Sequence, residues 1–345
     1  MLRYSSPFLV LAGIPLLYYW AGPLWPIAGI MAFLIVLVTA ERLADRPGCV
    51  ERQASRKFRA LQLIYVPLQL AVVVWATSIA ASLTPLAFVL LAVSVGVAAG
   101  IFGMLCAHEL AHSHDRFDRF VALAMLTGTS NRQFRISHIF GHHRWAATEQ
   151  DAATARKGES FYAFLARTLP SQWREAWGFE RGRCAARAAG WWENRVLQDV
   201  AATAVTYAVV TALFGTSGIL FFLTENIVAI VVLELFNYIA HYGMVRDAGD
   251  TGRKGPISDT LSWNSSSEFA NCLIFNMGRH SDHHRRPAAS YQDLVAVSGS
   301  PELPCGYAGS ILLALMPPLW RRVMDPHVVC IRSRQTMAAA GAAVS

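Results

Sequence analysis

The chain of 345 residues is 54% hydrophobic and only 15% charged, with a mean hydropathy of +0.34, a balance that excludes an ordinary soluble globule and points to a membrane protein. A formal net charge of +7, from 30 Lys and Arg against 23 Asp and Glu, would suit nucleic acid in a soluble protein. Here the arginines crowd the loops that flank apolar runs, where they report membrane orientation, so no nucleic-acid partner is expected.

The first apolar run carries one cation, Arg3, and is followed almost at once by a second run with no small-x-small cleavage site between them. It reads as a retained membrane helix rather than a signal peptide. Spans are predicted at 7–21, 24–40, 60–82, 85–107, 198–214 and 218–241, against the about 20 apolar residues a crossing needs. Turns at Ala21-Gly22-Pro23, Leu83-Thr84-Pro85 and Gly215-Thr216-Ser217-Gly218 join them into three hairpins. None of these turns carries Lys or Arg, whereas loop 41–59 holds Arg42, Arg46, Arg52, Arg56, Lys57 and Arg59. The positive-inside rule therefore places the turns outside, and both termini and the large loops in the cytoplasm.

Residues 108–197 and 242–335 are expected to form cytoplasmic regions, with amphipathic helices under the embedded part. The stretch Ser310–Trp320 is too short to span and is placed at the interface, with Arg321 and Arg322 among the headgroups. Residues 336–345 read as a disordered tail. The expected fold is one all-α membrane domain over residues 1–335: six transmembrane helices as three hairpins under a cytoplasmic helical cap. The six cysteines form no Cys-x-x-Cys pair and read as reduced, mostly buried thiols.

Nine of the eleven histidines fall into four sets, and each set lies at or beyond the cytoplasmic end of an even-numbered span. His108 and His112, in His108-Glu109-Leu110-Ala111-His112, share one face of a helix at i, i+4 spacing. In His138-Ile139-Phe140-Gly141-His142-His143, His138 and His142 share a face, and His143 is turned by about 100° on an ideal helix, a divergence that suits two metals side by side. His280, His283 and His284 follow at i, i+3 and i+4 on one stripe. His241 stands alone at the end of the sixth span and is raised to a ligand because the topology brings it to the others. His114, two residues past its set, reads as a loop residue. Four protein ligands close a structural zinc site and three plus water make a catalytic one, so nine imidazoles suffice for two metal ions. Glu109 and Asp282 are candidates to accept the far ring N–H of a ligand, since metal-bound histidines usually donate it to a carboxylate or carbonyl.

HELAH, HIFGHH, NYIAHYG and RHSDHH, in this order and spacing, closely resemble the AlkB-type integral-membrane alkane monooxygenases of the membrane fatty-acid desaturase and hydroxylase superfamily. The similarity extends to Asp151–Phe161, to Ser262-Trp263-Asn264-Ser265 and to Leu303–Pro326, and covers about residues 60–330. The resemblance implies a cytoplasmic-side centre of two iron ions held by His108, His112, His138, His142, His143, His241, His280, His283 and His284. It also implies O2 as co-substrate, hydroxylation of an unactivated methyl group of an apolar substrate taken from the bilayer, and electrons from rubredoxin or a ferredoxin fed by an NAD(P)H reductase. A bacterial cytoplasmic (inner) membrane is the expected location. The chain departs from the family where Ser137 and Ala240 stand in place of the usual Glu, and where Met277-Gly278-Arg279 replaces Leu-Gln-Arg.

Within the superfamily, a xylene-type methyl hydroxylase or a fatty-acyl desaturase or hydroxylase remains an alternative. An intramembrane zinc protease built on His108, Glu109 and His112 would leave six clustered histidines unused. A metal transporter or sensor would want ionisable groups inside the spans.

Overall fold

Among the described residues, five of the helices begin where a side chain caps the first turn. The computed structural model describes residues 4–43, 56–246 and 261–342. α1 (Ser6–Ala21) stops at Gly22, whose φ of 108° is open to glycine, and α2 (Trp25–Leu43) follows. α3 (Arg56–Ser78) passes through a 3₁₀ turn at Ala80–Ser82. The Thr84 hydroxyl then accepts the N–H of Ala87, and Pro85 opens α4 (Pro85–Ala98). A π-helical stretch, Ala99–Gly103, carries α4 into α5 (Met104–His112).

α6 (Arg116–Gly128) is capped by Asp115, α9 (Phe161–Ala186) by Ser160 and α10 (Arg195–His241) by Asn194. Between α6 and α9 lie α7 (Phe134–Ile136), a second π-helical stretch at Ser137–His142, and α8 (His143–Trp145). The remainder comprises α11 (Glu268–Leu273), α12 (His280–Arg285), α13 (Gly306–Ala314) and α14 (Pro317–Ala342). Among the described residues there is no strand, only an isolated bridge between Asn264 and Glu302.

Three helical stretches are long and apolar enough to cross a bilayer: Lys57–Ser78, Pro85–His112 and Arg195–His241, with Ser6–Ala21 and Trp25–Thr39 as shorter apolar helices. The chain is an integral membrane protein. At 28 residues, Pro85–His112 is about 42 Å long, about 12 Å more than a hydrocarbon core. α10 is broken at Gly215 (φ 64°, ψ −162°). Tyr207 and Phe222, on either side of that residue, pack with ring centroids 6.0 Å apart, and both Tyr207 and Asn226 bond the Ser130 hydroxyl. Fifteen residues of straight helix would separate them by about 22 Å, so the chain reverses at Gly215, as its turn residues predict.

α4 and the second half of α10 lie in close backbone contact. A Cβ on Gly96 would stand 2.6 Å from the Glu225 carbonyl oxygen, and one on Gly100 would stand 2.7 Å from that of Ala229. This small-xxx-small spacing lets two membrane helices approach and bury their flanking apolar side chains.

Three expectations need correction. Residues 336–342 continue α14 rather than forming a disordered tail, as their alanine-rich composition favours helix; 343–345 lie outside the described residues. Trp320 is fully buried, its ring 5.3 Å from Tyr238 and 5.2 Å from Tyr242, so that end of the Ser310–Trp320 stretch packs on the protein and not on headgroups. The described cysteines are all free, but only Cys106 and Cys272 are buried, and Cys330 is exposed. Arg46 and Arg52 of the basic loop, and Cys49, lie outside the described residues.

Candidate metal centre

The nine predicted histidines meet in one place, divided five and four. His108, His112, His138, His143 and His283 form one set and His142, His241, His280 and His284 the other, the ring nitrogens of each set lying within 4.8 Å of one another. The sets adjoin, with the rings of His143 and His284 only 4.7 Å apart. His114 belongs to neither.

The division follows from local winding. Across Ser137–His142 the backbone takes π-helical i, i+5 bonding, which brings His138 and His143 to the same side. The i, i+4 pair His138 and His142, expected on a common face, is therefore split between the sets. α12 divides as well: His280 and His284 join one set, and His283, about 100° away, the other. α5 keeps His108 and His112 together, and the end of α10 delivers His241.

The Nε2 atoms converge. In the five-histidine set, His138 Nε2 lies 2.7 Å from that of His108 and 3.0 Å from that of His143, which is 3.2 Å from that of His283. In the other set, His241, His280 and His284 form a triangle with sides of 3.0, 3.3 and 3.2 Å. Three imidazoles facing one point cannot satisfy one another by hydrogen bonding, because each neutral ring has one donor nitrogen and one acceptor. Nitrogens sharing an ion at about 2.1 Å sit about 3.0–3.4 Å apart. The Nε2 atoms of His112 and His142 are buried with no protein partner. Burial, reinforced by neighbouring rings, pushes His138, His143, His280, His283 and His284 well below the ordinary imidazole range, which keeps them neutral and able to bind metal. The residues fit two metal ions.

The outer support differs from expectation. Glu109 Oε1 accepts the backbone N–H of Tyr291 at 3.0 Å. Asp282 pairs with Arg286 and accepts the N–H of Val295 at 2.9 Å. Neither carboxylate bonds a histidine: Glu109 follows its ligand by one residue and so leaves the helix on another side, while Asp282 is held by its i+4 arginine. The acid that meets one of the clustered histidines is Asp151. Its Oδ2 lies 2.9 Å from His142 Nδ1 and accepts the Thr154 hydroxyl at 2.6 Å, while Oδ1 accepts the N–H of Ala153 at 3.0 Å. Burial raises the Asp151 pKa, but the His142 ring and the Thr154 hydroxyl outweigh it and hold the carboxylate below its ordinary range. His241 Nδ1 is matched by the Leu261 carbonyl at 3.0 Å. Asp151 stands in a segment that marks the resemblance, but no local spacing ties it to a ligand nine residues earlier.

Asn264 anchors α12, accepting the N–H of Ser281 at 2.9 Å and donating to its hydroxyl at 2.8 Å. Ser137 turns back onto the Phe134 carbonyl at 3.2 Å. Ala240 instead lines an apolar cavity with Leu105, Phe134, Leu233, Phe236, Asn237, Met277 and Tyr307, and this cavity reaches His108 and His138 of one set and His280 of the other.

Fold and site together define a class: a helical membrane metalloprotein with two adjacent, all-imidazole metal sets. Residues 83–304 match the Fatty acid desaturase family. Alkane 1-monooxygenase 2 of Pseudomonas aeruginosa is 34% identical over 345 residues, spanning 93% of this chain and 90% of the relative. Alkane 1-monooxygenase of Pseudomonas putida is 37% identical over 283 residues, 80% of this chain and 70% of the relative. The hydroxylase component of the xylene/toluene monooxygenase of Pseudomonas putida is more distant, 28% identical over 64% of this chain and 59% of its own. The chain belongs to the membrane fatty-acid desaturase superfamily, within its AlkB-type alkane monooxygenases.

Proposed function

We propose that this protein is a non-haem di-iron monooxygenase that hydroxylates the terminal carbon of an alkane drawn from the bilayer, with one iron held by each histidine set. The carrying observation is the pair of adjoining histidine sets, with a small apolar cavity of ≈ 30 Å³ touching imidazoles of both and marking where a substrate end would meet them. When bound, the irons supply the redox capacity that breaking a strong C–H bond with O2 demands and that zinc lacks.

The chain's own residues do the rest. Tyr307 commits its hydroxyl to the Trp263 carbonyl at 3.1 Å, and Asn237 its amide to Glu234 at 3.2 Å. The cavity thus meets a substrate with carbon surfaces and selects by shape rather than by hydrogen bonds. Relatives 34% and 37% identical over most of the chain favour an alkane over an alkylbenzene or an acyl chain. A zinc protease is disfavoured because Glu109 faces Tyr291, away from the position a general base would need.

The reaction consumes O2, two electrons and two protons, and yields the alcohol and water. The electrons are assigned to a rubredoxin or ferredoxin with its NAD(P)H reductase. A solvent-side cavity of ≈ 880 Å³, lined by the four cations Arg156, Lys157, Arg246 and Arg332 against the two acids Glu149 and Asp151, suits an acidic carrier docking beside His142. Six spans in three hairpins, with both termini and the metal centre on the cytoplasmic face of a bacterial inner membrane, complete the reading; the cation-free turns support it.

Membranes holding the protein, supplied with NADH, electron carriers and a panel of alkanes, alkylbenzenes and fatty acids, test it. A primary alcohol from an alkane is the expected product, while benzylic alcohol or alkene alone would overturn the substrate assignment. His283→Ala should lose turnover and bound iron together; full activity with intact iron would sink the metal site.

A further inference from the structure

We propose that the outer face of α9 and the turn that follows it form a membrane-anchoring surface that rests in the headgroup layer of an anionic bilayer. This rests on the membrane reading and concerns a part of the chain outside the spans. On α9, Tyr162, Trp173 and Trp177 are 56%, 39% and 40% exposed, the two tryptophans one helical turn apart. Trp191 and Trp192, 74% and 64% exposed, occupy the 3₁₀ turn directly before the cap of α10, which enters the bilayer. Large aromatics left uncovered in this way are out of place in water and belong where one side is apolar and the other wet.

The charges sort the same way. Arg174, Arg181 and Arg187 are exposed along the same segment. Both acids of α9 are turned inward: Glu175 accepts the N–H of Ala152 at 3.2 Å, and Glu180 is held by Arg183 at 2.8 Å and by the N–H of Arg195 at 2.9 Å. In the turn, Glu193 folds back toward the N–H of Gly190 at 3.4 Å. What remains outward on α9 is indole and guanidinium, the pairing that favours anionic headgroups above acyl chains, while Glu193 of the turn is exposed beside them. The occupant is therefore the lipid surface, and the surface is continuous with the span that begins at Arg195. α9 also packs against the π-helical stretch bearing His138 and His142, and Phe140 of that stretch is 46% exposed with its ring 6.4 Å from Phe179. Anchoring α9 would set the depth of the metal centre relative to the acyl chains from which substrate is drawn.

The test uses the full-length, iron-loaded protein in phosphatidylcholine vesicles with and without phosphatidylglycerol, and reads tryptophan fluorescence. Lipids brominated near the headgroup should quench the native protein. Trp173→Phe/Trp177→Phe and Trp191→Phe/Trp192→Phe should each remove part of that quenching while iron content is kept. Arg174→Gln/Arg181→Gln/Arg187→Gln should abolish any gain in quenching from phosphatidylglycerol. Unchanged interfacial quenching in the four-tryptophan variant would overturn the proposal. So would free quenching of these indoles by aqueous iodide, or their protection only when a carrier protein is added. Trp20 and Trp75, near the ends of α1 and α3 and unchanged in every variant, report separately on insertion through the headgroup quenching left in the four-tryptophan variant. Loss of that signal would indict the membrane reading itself.

Discussion

His142 and Asp151 are joined by a buried contact of 2.9 Å between Nδ1 and Oδ2, and this is the only contact with a carboxylate given to any of the nine clustered imidazoles among the described residues. It fixes which nitrogen of His142 faces the metal set, because a proton held on Nδ1 leaves the Nε2 lone pair free. Asp151→Asn keeps the size but weakens the acceptor. We expect metal affinity of the four-histidine set and activity to fall by about 10–100-fold, the range for such supporting groups. Iron titration of the purified variant, with the five-histidine set still loaded, would check it.

Ala240 stands at the wall of the apolar cavity between His108, His138 and His280, and is 3% exposed. Ala240→Phe should fill the space a substrate end must occupy. Turnover of alkanes should fall by at least about 100-fold, since a misplacement of about 1 Å already has that effect, while both irons remain bound. Product formation measured beside iron content separates blockage from a damaged centre.

Gly100 faces backbone, which cannot step aside. A Cβ there meets the Ala229 carbonyl oxygen at 2.7 Å and the Val232 Cβ at 2.7 Å. Gly100→Ala should destabilise the protein by about 1–3 kcal/mol, the usual range for overpacking. A lower thermal midpoint in detergent is the readout, and Gly13→Ala, where nothing lies within 4 Å, serves as the control.

Burial and the nearby charge of Asp151 push the Glu175 carboxyl up to about 7 from an ordinary 4.5, against the Ala152 N–H that favours the anion. A raised acid works against stability as pH rises. Below about 4.5 folded and unfolded chains are both protonated, and between 4.5 and 7 only the folded chain keeps its proton, so stability falls through that window. Glu175→Gln lacks this titration. Its thermal midpoint should exceed that of the native protein at pH 8, with the gap closing toward pH 5.

The clustering histidines were legible in the sequence because a helix built to bind metal repeats its imidazoles at turn spacing, and that is local information. The long apolar helices were legible for a similar reason: the bilayer demands long apolar runs, and proline, glycine and Thr84 mark helix ends. Gly215 reverses the chain where its neighbours said it would.

Which histidine joins which set could not be read from residue spacing. His138 and His142 read as partners on an α-helix, and only the π-helical winding of Ser137–His142 separates them. The Asp151 contact, the turning of Glu109 toward Tyr291 and the opening of the cavity at Ala240 all depend on segments distant in sequence packing side by side. The sequence by itself pointed to the nine histidines that cluster and to the membrane that carries them. Their division into five and four, and the acid that steadies one of them, were decided by tertiary structure, because they are properties of how backbones wind and meet rather than of any residue's spacing.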